Sequence, residues 1–181
     1  MATFITALVV LVLQTPQEPV VPAVPTDFRA GVERYVELRE NAVRTLPPRQ
    51  VTANAAELQR WERTLSAAVR AARARARQGE IFTPAAGAEI STIIAADRMR
   101  RSADDQSALM TDVPLAVPVV NQPYPPEAAL ATFPPLLLAA LPPLPDELEY
   151  RYMGRYLIIR DAKTNLIVDY LLELTPARSE R

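Results

Sequence analysis

Cysteine and histidine are both absent from this chain of 181 residues. Without cysteine, the chain has no disulfide bond, no thiolate nucleophile and no cysteine-containing zinc site. Without histidine, it cannot form a Ser-His-Asp triad or use imidazole in acid–base catalysis. The chemistry that stays open uses carboxylates, either as a catalytic pair or as a metal site, and no motif of the sequence indicates a metal ion or a cofactor.

Glycine and lysine are also scarce. Four isolated glycines cannot build a phosphate-binding loop, whereas eighteen prolines predict several stiff, extended connections. Lys163 is the single lysine among 20 basic residues, which 21 acidic residues balance to a net charge of -1. This balance gives no general attraction for nucleic acid. With 49% hydrophobic residues, the chain can bury the core of one modest domain.

An apolar run at residues 4–13, FITALVVLVL, comes before a proline-rich stretch that ends at Pro25. The run is too short for a helix that crosses a bilayer core of about 30 Å, but it has the length of a signal-peptide core. No basic residue precedes Arg29, so an apolar first helix or strand of the domain is the alternative. We expect residues 1–25 to be a signal peptide and linker, cleaved after Ala23 or nearer Gln14, and the protein to be periplasmic or secreted. Residues 26–181 are then a single domain.

Apolar residues at helical spacing predict three helices, over residues 26–46, 53–78 and 83–101. Thr26 or Asp27 can cap the first helix, Gly79 can end the second, and Thr83 followed by proline can begin the third. Each helix carries an apolar face, formed in turn by Phe28, Val32, Tyr35, Val36, Val43 and Leu46, by Leu58, Trp61, Leu65, Ala68, Val69 and Ala72, and by Ile90, Ile93 and Ile94.

Prolines recur through residues 102–145, and helical periodicity is lost after Arg101. We expect an irregular excursion, with a short extended piece at residues 115–120 and a short helix at residues 127–133. Residues 136–141, LLLAAL, predict a further short helix. Because it has no polar face, it must be buried or covered by a partner.

Strand-forming residues dominate the C-terminal part of the chain and predict three short antiparallel strands, at residues 148–153, 156–161 and 166–171. Gly154 supplies the positive φ of the first turn, and Asn165 takes the left-handed position of the second, where Asp161 caps backbone N–H groups. Alternation places three sets of residues on one face: Leu148, Tyr150 and Tyr152; Leu157 and Ile159; and Leu166, Val168 and Tyr170. The fold class is therefore α+β, an N-terminal helical layer packed on a C-terminal three-stranded meander.

Residues 141–171 resemble the C-terminal segment of a group of uncharacterised exported bacterial proteins. The shared features are an LPxLPxxLEYR opening, a GRxLIxRD turn and an NLIVD ending, written here LPPLPDELEYR, GRYLIIRD and NLIVD. The resemblance implies a common fold module and export, and it transfers no catalytic residue.

Arginines supply the most distinct surface pattern. On a helix over residues 53–78, four of them lie opposite the apolar face and form an arginine ridge: Arg63, Arg70, Arg73 and Arg77. The ridge predicts binding of an anionic polymer or an acidic protein, and the alternative is an ordinary solvated face. The meander tyrosines predict either core packing or a binding surface: Tyr150, Tyr152, Tyr156 and Tyr170.

Carboxylates give the competing hypothesis of a hydrolase that acts on a glycan. Asp104 and Asp105 fall in a polar segment, where a solvated pair is the simpler interpretation, and turn capping or surface exposure accounts for Asp161 and Asp169. We therefore expect a non-enzymatic envelope or secreted interaction module, with an envelope protein or an anionic polymer as its partner.

Overall fold

Helices occupy the N-terminal half and a three-stranded antiparallel sheet occupies the C-terminal part, as the α+β prediction requires. The structure is a computed structural model that describes residues 25–172 except 50, 127 and 129. The predicted signal peptide lies outside these residues. The elements, in chain order, are α1 (Thr26–Arg44), α2 (Ala55–Ala72), α3 (Pro84–Met99), α4 (Ala103–Met110), α5 (Pro135–Ala140), β1 (Leu148–Met153), β2 (Tyr156–Asp161) and β3 (Leu166–Leu172).

The apolar stripes of α1, α2 and α3 meet the sheet in one large core. Phe28 and Val32 of α1 and Leu65 and Val69 of α2 are buried there. Burial of such side chains contributes about 1.5–3 kcal/mol each. They pack with residues of α3 and of the strands: Ile90, Ile94, Leu148, Tyr150, Leu157, Ile159, Leu166 and Val168. The helices therefore form the cover that the sheet needs for stability.

The start of α3 agrees with the prediction, and the capping of α1 differs from it. Thr83 caps α3 by accepting the N–H of Ala86, and Pro84 is its first residue. Neither predicted residue caps α1, since Pro25 precedes the helix without a capping side chain. Asp27 instead accepts the N–H of Phe28 and the hydroxyl of Thr83. It therefore links the starts of α1 and α3.

Helix α2 ends at Ala72, six residues before the predicted end, so the predicted extent was wrong. The chain leaves the helix because Arg73 turns inward, where its guanidinium donates to the carbonyl oxygen of Val168 in β3. Gly79, which has a φ of 92°, belongs to the turn that follows and does not cap α2.

Two predictions for residues 102–145 were also wrong. Residues 103–110 are helical because Ser102 caps α4 by accepting the N–H of Asp105. Residues 130–133 lie outside any helix, although a helix was predicted there. The predicted helix over LLLAAL is present as α5, which begins one residue earlier, at Pro135.

The meander confirms the predicted strands almost residue for residue. The order is β1-β2-β3, and both neighbouring pairs are antiparallel. Gly154 has a φ of 55° and Asn165 a φ of 58°, as the two turns require. The carboxylate of Asp161 accepts the N–H groups of Lys163 and Thr164 in the second turn. Local turn chemistry therefore sets both connections.

An irregularity in β3 changes which face its residues occupy. Asp161 pairs with Leu166 and Ile159 with Asp169, so one extra residue stands in β3 between these pairs. Such a bulge reverses the alternation, and Val168 and Asp169 both face the helices. Tyr170 therefore lies on the opposite face, against the prediction, where it packs with Tyr156.

The second face of the sheet is covered by the chain segment that precedes α5. Tyr124 packs there against Met153, Ile158 and Ile167. The segment also continues the ladder of β3, since Asn121 donates its N–H to the carbonyl oxygen of Ile167 at 2.8 Å. Both faces of this short sheet are therefore buried. Over the described part of the chain, no helix is long and apolar enough to cross a membrane.

Candidate functional site

Asp161 is fully buried and joins α1 to the sheet. Its Oδ2 accepts the Nε–H of Arg39 and the hydroxyl of Tyr35, each at 2.8 Å. Its Oδ1 accepts the N–H groups of Lys163 and Thr164. Burial and the neighbouring charge of Asp161 raise the pKa of Tyr35, so this phenol stays a hydrogen-bond donor. The prediction that Asp161 caps the turn is confirmed, and the alternative prediction that its side chain is exposed was wrong.

Asp169 is also fully buried, and it holds the turn between α2 and α3. Its Oδ1 accepts the N–H of Gly79 at 2.8 Å, and its Oδ2 accepts those of Ile81 and Phe82 at 2.7 and 2.9 Å. The N–H of Tyr170 also donates to Oδ1. Each oxygen of this carboxylate therefore has two donors, and the same count holds at Asp161. Neither carboxylate has a lone pair free to take a proton from a substrate.

Asp104 and Asp105 lie in the first turn of α4, where both are exposed. The hydroxyl of Ser102 donates to the Asp105 carboxylate and accepts the Asp105 N–H, so this carboxylate belongs to the helix cap. Negative charge in a first turn also complements the helix dipole. Nowhere in the described residues do three potential metal ligands of the His, Cys, Asp or Glu type gather.

The arginine ridge does not form a single face. Arg73 is buried, and its guanidinium donates to the carbonyl oxygen of Val168 at 2.9 Å and to Glu80 at 3.1 Å. It also lies 5.0 Å from the ring centre of Tyr35. The prediction that Arg73 is a surface residue was wrong, because a helical wheel does not apply beyond Ala72.

The other three ridge arginines are exposed: Arg63, Arg70 and Arg77. Arg77 lies past the end of α2, so only two of the three stand on the helix. Arg70 approaches the side-chain oxygen of Gln122 at 3.3 Å. The exposed positive charge is thus sparser than the sequence pattern indicates.

The meander tyrosines pack against other parts of the fold. Tyr150 is buried and donates its hydroxyl to the carbonyl oxygen of Pro142 at 2.9 Å, and burial raises its pKa. Tyr152 stacks on Phe133 with ring centres 5.2 Å apart. Together with the edge contact between Tyr156 and Tyr170, these contacts match packing better than an open binding surface.

Exposed apolar residues are the most distinct feature of the described surface. Leu115, Val117 and Val119, called here the apolar strip, have exposed fractions of 92%, 67% and 55%. They alternate along a segment that is neither helix nor strand. Single exposed apolar residues are ordinary, but three together on one short segment indicate a contact surface.

The segment that carries the apolar strip is held firmly to the sheet. Val113 and Pro118, on either side of its first two members, are buried. The N–H of Gly154, in the first hairpin turn, donates to the carbonyl oxygen of Pro114 at 2.7 Å. A side chain at Gly154 would meet the carbonyl oxygen of Ala116, so the turn and the segment fit closely. The apolar strip therefore stands on an ordered support.

Helix α5 is divided between core and surface. Leu137 and Leu141 are buried, whereas Leu136 and Leu138 are exposed. The requirement that LLLAAL be buried or covered is met on one side of the helix only.

Comparison of the chain with known protein families, curated proteins and solved structures gives no match. Function therefore has to be inferred from the geometry of the chain itself.

Proposed function

We propose that this protein is a non-enzymatic interaction module that binds a partner protein through the apolar strip. The observation that carries the proposal is the exposure of Leu115, Val117 and Val119 on a segment fastened to the sheet. Because that segment is already ordered, binding loses little conformational entropy. Burying aliphatic side chains removes apolar surface from water and supplies the driving force.

The partner is a different protein with a larger apolar surface, and not a second copy of this chain. The apolar strip exposes roughly 350 Å², so two strips in contact would bury about 700 Å², below the ~1,000 Å² that a stable interface needs. A different protein with a broader apolar surface can reach that size. The three side chains carry no hydrogen-bonding group, which favours a protein surface over a glycan or a nucleic acid.

A photo-crosslinking amino acid placed at Val117 tests the proposal, with the same substitution at Val51 as the matched control. Val51 is also apolar and fully exposed, but it stands alone between α1 and α2. In envelope extract we expect a crosslinked product from position 117 only. Excess unlabelled wild-type protein should suppress it, whereas a Leu115→Ser/Val117→Ser/Val119→Ser variant should not.

Two results would overturn this assignment. One is the same product from positions 51 and 117, or no product from 117. The other is a crosslinked homodimer formed by the purified protein alone, because the partner would then be a second copy. The unfolding transition of the triple variant has to match the wild type, so that a loss of competition reports on the surface and not on folding.

The glycan hydrolase is not favoured by the hydrogen bonding of the carboxylates. Asp161 and Asp169 are buried, and each of their carboxylate oxygens accepts two hydrogen bonds. Asp104 and Asp105 are exposed at the start of α4. A glycosidase needs two carboxylates that face each other across a cleft, about 5–9.5 Å apart. The hypothesis that an anionic polymer binds to Arg63, Arg70 and Arg77 loses support, because Arg73 is buried and leaves the ridge incomplete.

Export is the second part of the proposal. It rests on the apolar run at residues 4–13, on the prolines after it, and on the resemblance of residues 141–171 to exported bacterial proteins. Mass spectrometry of the native protein tests it directly. We expect an N-terminus between Gln14 and Pro25 on protein from the periplasm or the medium. An intact Met1 on cytosolic protein would contradict the proposal.

A further inference from the structure

A cleft of about 410 Å³ lies between α1, the residues that follow it, and the turn that joins β2 to β3. Its volume is within the range of about 300–1,000 Å³ that is typical of small-molecule sites. Arg39 and Val43 contribute from α1, Pro47 and Pro48 from the connection to α2, and Trp61 from α2 itself. The cleft is remote in sequence from the apolar strip and independent of the proposed function.

Arg39 supplies the anchoring group of this cleft. The side chain is nine-tenths buried, and its Nε–H donates to Asp161 at 2.8 Å. Its Nη1 lies 3.9 Å from Glu147, too far for a hydrogen bond, and within the described residues neither terminal nitrogen has a hydrogen-bond partner. Neither nitrogen is sealed from solvent. The guanidinium is therefore fixed by its inner edge and keeps its outer edge available to the cleft.

The outer edge of a guanidinium presents two parallel N–H groups, which match the two oxygens of a carboxylate. Because Asp161 already orients Arg39, a ligand would not have to order this side chain. A preorganised donor pair of this kind binds more tightly than a mobile surface arginine.

Apolar groups form the wall above Arg39. Trp61 borders the cleft together with Val43, Pro47 and Pro48, and its indole Nε1–H donates to the carbonyl oxygen of Pro47 at 3.4 Å. This hydrogen bond holds the ring against the connection between the helices. An apolar body, best a planar one, can pack on this wall while a carboxylate reaches the arginine.

The charges that line the cleft disfavour a ligand with more than one negative charge. Arg49, whose guanidinium lies 5.8 Å from the Trp61 ring centre, and Lys163 line the cleft with Arg39. Three carboxylates line it as well, Glu62, Asp146 and Glu147. Because Asp161 already pairs with Arg39, the cleft has no surplus of positive charge. A phosphate dianion would meet the carboxylates without a surplus of positive charge, so a monoanion fits better.

We propose that this cleft binds an apolar monocarboxylate, with the carboxylate on the outer edge of Arg39 and the apolar body against Trp61. The site differs from the arginine ridge and uses none of its residues. It also differs from the carboxylate hypotheses, because Asp161 acts here as a positioning residue for Arg39.

The chain carries its own reporter for this site, because Trp61 is its single tryptophan. Fluorescence titration of the full chain with 3-phenylpropionate tests for binding, and 3-phenylpropanamide is the neutral control of the same shape. We expect saturable binding of the acid below about 10 mM, and at least about tenfold weaker binding of the amide. Equal responses to acid and amide, or no response to the acid, would overturn the proposal.

Variants locate the site. Arg39→Lys keeps a cation for Asp161 but removes the parallel donors, and we expect about fivefold weaker binding. Arg49→Glu reverses an exposed charge at the opening and should weaken binding by a similar factor. Arg44→Glu is the matched control, because Arg44 is an exposed arginine outside the cleft, and it should leave the affinity within about twofold. Unchanged affinity in Arg49→Glu would contradict the assignment even if Arg39→Lys failed to fold.

Discussion

Arg39 reaches across 122 residues of sequence to place its Nε–H 2.8 Å from Oδ2 of Asp161. The carboxylate is fully buried and the guanidinium nearly so, which makes this the most deeply placed ion pair between α1 and the sheet. The same guanidinium lies 3.9 Å from Glu147, whose side chain is 39% exposed. One arginine thus pairs closely with a buried carboxylate and lies near a partly exposed one without a hydrogen bond to it.

Asp161→Asn should lower the free energy of unfolding by about 3–5 kcal/mol, because it leaves the buried charge of Arg39 without its partner. Glu147→Gln should lower it by less than about 1 kcal/mol, because that pair is long and solvated. Urea denaturation of the two variants and the wild type measures both values. Similar losses in the two variants would show that burial does not distinguish these pairs.

Gly31→Ala in α1 should be destabilising by about 1–3 kcal/mol, although alanine favours a helix by about 1 kcal/mol over glycine. The added Cβ would lie 2.7 Å from the carbonyl oxygen of Glu80, which belongs to the turn held by Asp169. Gly87→Ala in α3 is the matched control, since its Cβ would meet only the flexible end of Leu171 at 3.0 Å. We expect that variant to stay within about 1 kcal/mol of the wild type. Thermal or urea unfolding measures the stability of both variants. A Gly31→Ala variant as stable as the wild type would show that Gly31 does not lie this close to the carbonyl oxygen of Glu80.

Glu149 should give the protein an acid-sensitive contribution to stability. Burial raises the pKa of this carboxyl, but hydrogen bonds from Arg151 and Arg160 outweigh burial and hold the pKa below its ordinary value of 4.5. Because the folded-state pKa is lowered, the contribution is complete above the unfolded-state value and is lost as the pH falls through the folded-state value.

Unfolding free energies measured between about pH 7 and pH 2 for the wild type and Glu149→Gln test this expectation. Their difference should be constant at neutral pH and should shrink below about pH 4.5, where the carboxyl of the unfolded chain begins to take up its proton while that of the folded protein is still ionised. A difference that stays constant down to the lowest pH would mean that the two arginines do not lower this pKa.

The sequence predicts the meander well because its signals are local. Gly154 and Asn165 mark the turns, and alternation marks the strands between them. The bulge beside Val168 has no such signal, since the extra residue follows from how Asp169 meets the turn at residues 79–82. The face of Tyr170 was therefore predicted wrongly, although both ends of its strand were placed within one residue.

The helical errors have two different origins. Residues 73–77 alternate arginine and alanine, both good helix formers, so only the tertiary contact of Arg73 with β3 explains why α2 stops at Ala72. Helix α4 could have been found, because Ser102 followed three residues later by Asp105 is a capping signal that the surrounding prolines obscured.

The candidate sites were visible only in part. A short extended piece was predicted at residues 115–120, but the exposure of Leu115, Val117 and Val119 depends on how Pro114 docks on the hairpin. The cleft at Arg39 has no sequence signature, because its lining comes from four separate stretches of the chain. Charge and spacing within one helix cannot reveal such a site.

The hydrogen bonds of Asp169 also set the order in which the chain can fold. The N–H groups of Gly79, Ile81 and Phe82 donate to a carboxylate that lies 87–90 residues later in the sequence. The hydroxyl of Tyr35 donates to Asp161, 126 residues later. Contacts of such separation form late, because the intervening chain has to be closed first. As the ribosome releases the chain from its N-terminus, all three long helices emerge before either aspartate does. A nascent chain arrested before β2 therefore carries its three long helices without either carboxylate acceptor, and one arrested before β3 still lacks Asp169. Folding is completed only once the last strand is free.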